Sequence, residues 1–241
     1  MRLLVSVRDA GEVGAATCGG AEILDVKDPA RGPLGAPRLS VLRAVRAAAP
    51  AGLPVSVALG DADAASDALC RSARAAAACG VTFLKVALRG EVRRAGAWLR
   101  ELVDSVGDTH PDTRVVAVAY ADVLSSDRAS LLAIPDIAAA AGARAVMLDT
   151  AKKDGRTLLD HLQDRALARW IEAVHAAGLW AGCAGSLGVP EIERLRELGP
   201  DVVGVRGAAC RGGRTGRLDA ALVAALRDAL RSAGARQSRA V

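Results

Sequence analysis

Aromatic side chains are scarce in this 241-residue chain, which has one Phe, one Tyr and three Trp. A protein that holds nucleic acid by its bases needs aromatic platforms among its cations. Here the formal charge is +5 and arginine dominates it, but the arginines are scattered over expected helix faces without such platforms. The positive balance suits small anions such as phosphates better than nucleic acid. Cysteine is sparse and odd in number: Cys18, Cys70, Cys79, Cys183 and Cys210, with no C-x-x-C pair. That argues against a disulfide framework or a zinc site and for reduced thiols in a cytoplasmic protein. No 18-residue apolar stretch is free of charge, so no membrane span is expected. The apolar start, Met1 to Val7, is too short for a signal peptide and reads as a first strand. Only three histidines occur, in no H-x-H or H-E-x-x-H pattern, and none ends a strand beside a serine or cysteine. Neither a metal site, a bound cofactor nor a hydrolytic triad is expected.

What the chain does have is alternation. Short β-type runs lie near 2–7, 23–27, 54–59, 82–87, 114–119, 144–149, 179–183 and 201–205. Helical stretches lie between and after them, near 10–18, 38–49, 63–79, 91–106, 127–141, 163–177, 189–198 and 217–232. Eight of each without a long linker predict one (β/α)8 barrel over residues 1–241, with a fraying tail from about 233. A doubly wound sheet would want a G-x-G-x-x-G turn after the first strand, and Ser6-Val7-Arg8-Asp9-Ala10-Gly11 is not one. Gly80, Gly142 and Gly178 sit where helices should end, and Pro190 where one should begin. Pro135, inside 127–141, predicts two shorter helices or a kink. The Ala/Leu-rich helix faces are compatible with a homo-oligomer.

In such a barrel the chemistry lies at the C-terminal ends of the strands. Lys27 ends the run Ile23-Leu24-Asp25-Val26-Lys27, and Asp25 faces the same way two residues earlier. Lys85 interrupts Phe83-Leu84-Lys85-Val86-Ala87, Asp149 closes the sixth strand, and Lys153 follows in its loop. Lysines inside buried runs are expensive unless paired or used. They could be rim charges paired with carboxylates. Together they suit a nucleophilic amine whose pKa is lowered by burial and neighbouring cations. Such an amine attacks a carbonyl to give an iminium, and the carboxylates move protons. The loops after strands seven and eight, with Gly185 and Ser186 in one and Arg206, Gly207 and Ala208 in the other, suit a substrate phosphate. Ordinary barrel turns are the plainer reading of their glycines. Arg211–Arg217 reads as an extension of the last loop or as a flexible connector, and Asp28–Gly35 as a lid or substrate contact beside Lys27.

The chain resembles the (5-formylfuran-3-yl)methyl phosphate synthase family, known from methanofuran biosynthesis. Its carriers run from Leu3-Leu4-Val5-Ser6 to Gly204-Val205-Arg206-Gly207-Ala208. The most specific are Asp25-Val26-Lys27-Asp28-Pro29 and Asp149-Thr150-Ala151-Lys152-Lys153-Asp154-Gly155. The resemblance implies a lyase that condenses two glyceraldehyde 3-phosphate molecules into a phosphorylated furan aldehyde. One phosphate and two waters are lost. By the same motifs Lys27 is the Schiff-base lysine and Lys85 the proton acceptor, with Asp25, Asp149 and Lys153 completing the site. Of the adjacent Lys152 and Lys153, the second matches the family's loop lysine. The alternatives are another lysine-dependent aldolase on a phosphorylated sugar and a non-catalytic phosphometabolite-binding barrel. Membrane and nucleic-acid partners are not expected.

Overall fold

The structure is a computed structural model that describes residues 1–231, so the expected fraying tail lies outside the described residues. β1 (Arg2–Val7) leads through a 3-10 turn (Ala10–Glu12) into α1 (Val13–Cys18). β2 (Ile23–Val26) is followed by α2 (Leu39–Ala48), β3 (Val55–Ala62) by α3 (Asp67–Ala77), and β4 (Phe83–Leu88) by α4 (Ala95–Gly107). β5 (Arg114–Tyr120) precedes α5 (Ala121–Leu124) and α6 (Arg128–Ala140), and β6 (Ala145–Asp149) precedes α7 (Leu158–His161) and α8 (Asp164–Ala176). β7 (Trp180–Cys183) leads to α9 (Val189–Leu198). After β8 (Val202–Val205) come a small hairpin, β9 (Cys210–Arg211) and β10 (Arg217–Leu218), and then α10 (Ala220–Arg231). Strands β1 to β8 pair in sequence order, all parallel, and β8 closes on β1 through Arg2 opposite Val202. This is the expected (β/α)8 barrel.

The strands work on both faces, and the period of two sorts their side chains. On β1, Leu3, Val5 and Val7 pack outward under the helices, whereas Leu4 belongs to the cluster inside the barrel. That inner cluster holds Ile23, Phe83, Val116, Val118 and Met147, and Leu34 reaches it from the loop after β2. The outer layer carries the largest buried side chains, including Trp170, Leu42 and Leu99. Each contributes on the order of 2–3 kcal/mol of burial. Higher up, the inward positions turn polar. Ser6 on β1, Asp25 on β2 and Ser56 on β3 stand side by side in register, and Tyr120 pairs with Asp149. The barrel is therefore dry at one end and charged at the other.

Three expectations need correction. Of the two alternatives at Pro135, the division into two shorter helices does not occur, because α6 continues through it. Pro135 lies on the buried face with Leu131, Ile134 and Ala138. Burying that face offsets the one backbone hydrogen bond that proline cannot make. The last helix begins at Ala220 rather than 217, because Arg217 and Leu218 pair with β9 and the Asp219 carboxylate accepts from the N–H groups of Ala221 and Leu222. The Arg/Gly stretch after β8 is consequently a folded hairpin and not a flexible connector. Gly216 is required there by close approach, since a Cβ would lie 1.8 Å from the Arg211 carbonyl oxygen.

Candidate active site

A cavity of about 300 Å³ opens at the C-terminal ends of β1, β2, β4, β6, β7 and β8. Lys27, Lys85, Asp149 and Lys153 all line it, and Asp25 lies just beneath, fully buried. The inward face of each strand brings these groups together from positions up to 128 residues apart, from Asp25 to Lys153. Their charges are organised as two pairs and a remainder. Lys85 Nζ sits 2.7 Å from Asp25 Oδ2, which also accepts from Ser6 Oγ at 3.1 Å. Lys153 Nζ donates to Asp149 Oδ1 at 2.7 Å and to Thr150 Oγ1 at 3.1 Å. The Thr150 N–H donates to the same carboxylate oxygen at 2.7 Å. Lys27 is the remainder. It is only 7 % exposed and makes no ion pair among the described residues.

The electrostatics follow from that arrangement. Burial pulls the Lys27 ammonium down to about 8 from its ordinary 10.5; Asp149 and Asp25 oppose the shift, and Lys85 and Lys153 add to it. Burial would raise both carboxyls, but the neighbouring lysines hold them below the ordinary carboxylate value. Lys85 and Lys27 act on Asp25, and Lys153 and Lys27 on Asp149. The site thus combines a buried amine that loses its proton near pH 8 with two carboxylates that keep their charge. Asp25 Oδ1 has no hydrogen-bond partner among the described residues. Lys152 is exposed and does not line the cavity, whereas Lys153 does. Asp122 on α5 fixes the loop between them, its two oxygens accepting from the N–H groups of Ala151 and Lys152 at 2.7 and 2.9 Å.

On the opposite wall, Gly185, Ser186, Gly207 and Ala208 line the same cavity. Gly185 and Ser186 both have positive φ, 113° and 53°, and Ser186 is the one non-glycine residue in that region among the described residues. Successive N–H groups turned this way form a concavity for an anion. Arg206 also lines the cavity but is committed elsewhere. Its Nη1 and Nη2 grip Glu12 at 2.5 and 3.0 Å, and its remaining donors go to the carbonyls of Ser6, Gly216 and Arg214. All five guanidinium N–H groups are spent on the protein, so Arg206, expected with its loop to hold a substrate phosphate, has no donor left for one. Burial would raise the Glu12 carboxyl, yet the hydrogen bond from Arg206, the Arg8 N–H and both guanidinium charges hold it below its ordinary value. Arg214, in the hairpin after β8, is the further cation on this wall. Cys183 and Cys210 are buried thiols, and burial pushes both up, so they are packing groups.

Sequence reasoning passed over Ser6, Glu12, Asp122 and Arg214. Nothing local marked the first three. Arg214 stood in a stretch whose glycines suggested slack chain.

Comparison with known proteins gives the site its context. Among solved structures, phosphoribosyl anthranilate isomerase from Thermus thermophilus superposes with a TM-score of 0.65 over 96% of this chain and 98% of its own, at 16% identity. That likeness speaks to the barrel alone. The (5-formylfuran-3-yl)methyl phosphate synthase of Methanocaldococcus jannaschii is 40% identical over 232 residues, 95% of this chain and 99% of that protein. The synthase of the same name from Methanococcus maripaludis strain S2 is 40% identical over 227 residues, 92% and 96% of the two chains. The model of the 4-HFC-P synthase family matches residues 3–227, from the first strand into the last helix, and the chain belongs to that family.

Proposed function

We propose that this cavity condenses two molecules of glyceraldehyde 3-phosphate into (5-formylfuran-3-yl)methyl phosphate, releasing one phosphate and two waters, through a Schiff base on Lys27. The observation that carries this reading is the division of the three lysines. Lys85 and Lys153 each have a carboxylate at 2.7 Å, whereas Lys27, buried between them, has none. An amine so placed is neutral in a large fraction of molecules near pH 8, and a neutral amine is the nucleophile that a carbonyl requires.

The steps follow from the charges. Lys27 Nζ adds to the carbonyl of one triose phosphate, and loss of water gives an iminium. Its positive nitrogen acidifies the adjacent C–H; Lys85 passes one of its protons to Asp25 Oδ2, 2.7 Å away, and the amine so freed takes the C–H proton. The enamine expels phosphate from C3, and the three-carbon enol so formed attacks the C2 ketone of the second triose, which has isomerised to its dihydroxyacetone form; one dehydration, ring closure with loss of a second water and hydrolysis of the imine release the furan. Lys153, hydrogen-bonded to Asp149 and Thr150, stands where it can protonate departing oxygens, and Asp149 offsets the cations that form. The backbone N–H groups of Gly185, Ser186, Gly207 and Ala208 face a substrate phosphate. As a class the reaction is a lyase that eliminates phosphate.

The test is direct. Purified protein with glyceraldehyde 3-phosphate should develop near-ultraviolet furan absorbance and release one phosphate per furan, with the product mass to match. Lys27→Ala should abolish all three. Borohydride added during turnover should fix one triose-derived mass on the peptide containing Lys27. Turnover to an aliphatic product would replace the synthase reading with another aldolase, and no covalent adduct would remove the Schiff base.

A further inference from the structure

We propose that Arg214, and not Arg206, supplies the cationic side chain that binds a substrate phosphate monoester. This deepens the reading of the cavity as a triose phosphate site and rests on it for the identity of the substrate.

Arg214 lines the same cavity as Lys27, Asp149 and the Gly185–Ser186 turn. Its guanidinium is half-buried and donates one hydrogen bond, from Nη2 to the Gly32 carbonyl at 2.6 Å. It has no carboxylate within ion-pairing distance among the described residues. The contrast with Arg206 is sharp, since Arg206 spends every donor on Glu12 and three carbonyls. A guanidinium withdrawn from water and facing a cavity without a counter-ion is an anion site. Burial pulls its pKa below the ordinary value, and Asp149 only partly restores it. With four N–H groups uncommitted, Arg214 can offer a phosphate the bidentate pair that a guanidinium makes best.

The position of Arg214 is built in. Arg206 Nε holds the Arg214 carbonyl at 3.1 Å, Arg206 Nη2 holds that of Gly216 at 2.9 Å, and Arg8 Nη1 holds that of Thr215 at 2.9 Å. The backbone of Arg214 packs against Gly207, 3.7 Å from where a Cβ there would lie. The Arg206–Glu12 pair is therefore the mount and Arg214 the hand. Through Gly32 the hand also touches the loop that follows Lys27, five residues along the chain. A phosphate held by Arg214 and the Gly207–Ala208 turn would lie on the wall of the cavity that Lys27 shares.

The experiment titrates inorganic phosphate calorimetrically into the wild-type protein and into Arg214→Ala and Arg214→Lys. Circular dichroism confirms that each variant is folded. Steady-state kinetics with glyceraldehyde 3-phosphate run in parallel. Phosphate affinity is expected to fall at least tenfold in Arg214→Ala and to be partly kept in Arg214→Lys, with KM raised more than kcat is lowered. Equal phosphate affinity in all three proteins would overturn the proposal and leave Arg214 a latch to Gly32. So would a wild-type protein that binds no phosphate at millimolar concentration. If phosphate binding depends on Arg214 but no furan forms, the anion site stands and the synthase reading falls.

Discussion

Four lysines serve the whole chain, and three of them line one cavity. The unpaired one should control the pH dependence of catalysis. Lys27 titrates near 8, so kcat/KM should rise with pH and level off above about 8. A profile flat from pH 6 to 9 would show that the attacking amine is not this one. The same shift has a cost in stability. The folded-state value lies below the unfolded one, so below pH 8 the charged, buried ammonium destabilises the fold, by on the order of 3 kcal/mol. The penalty fades as pH rises from about 8 toward 10.5, where the unfolded chain also loses the proton. Lys27→Met should accordingly be inactive but more heat-stable than wild type at pH 7, and its advantage should shrink at pH 9.5. Differential scanning calorimetry at the two pH values reads this directly. Lys85→Ala should behave differently, because Lys27 survives. A drop of roughly 10²–10⁴ in kcat is expected, with borohydride still trapping substrate on Lys27. Loss of trapping would mean that Lys85 is needed for the first step.

At the scale of elements, the loops between strands and helices decide whether these side chains meet. α5 is a single turn, yet its Asp122 accepts two N–H groups from the loop that carries Lys153. Asp122→Ala leaves both donors without their partner, at roughly 1–2 kcal/mol of stability. About a tenfold loss in kcat/KM is expected from the loosened Lys153, with trapping at Lys27 unchanged. A variant that kept full kcat/KM would show that the loop holds its shape without α5. The eight strands were legible because buried runs with turn residues between them are a strong pattern, and Asp25, Lys27, Lys85 and Asp149 were legible because charge inside such a run is anomalous. α5 and α7, four residues each, are too short to show a helical period. The commitment of Arg206 could not be read locally, since Glu12 lies 194 residues away and meets it only when β8 closes on β1. The hairpin was hidden for a related reason, because its order comes from carbonyls gripped by Arg206 and Arg8 rather than from its own glycines.

At the scale of the whole molecule, the excess of positive charge has a consequence that no single contact carries. The chain bears a formal +5. At the cavity, Asp25 and Asp149 balance two of the lysines, and Glu12 balances Arg206, which leaves Arg214, and Lys27 in its ammonium form, uncompensated. A doubly charged phosphate ester approaching the mouth therefore meets a field of favourable sign before it touches any donor. Exposed charges lose that influence beyond about 10 Å at 0.1 M salt, while contacts inside the cavity are screened much less. The encounter should thus be salt-sensitive and the chemistry should not. Raising sodium chloride from 20 to 500 mM, ~25-fold, spans Debye lengths from roughly 20 Å to about 4 Å. Over that range kcat/KM for glyceraldehyde 3-phosphate should fall several-fold, with kcat changing less than about twofold. A viscosity series run beside it establishes that the encounter limits kcat/KM. If kcat falls in step with kcat/KM, salt is disturbing the lysine–carboxylate pairs themselves and the division between a steering rim and a shielded centre is wrong. A flat kcat/KM would mean that Lys27 and Arg214 are screened from the approaching substrate, and that recognition begins only once the phosphate has reached the backbone donors of the β7 and β8 loops.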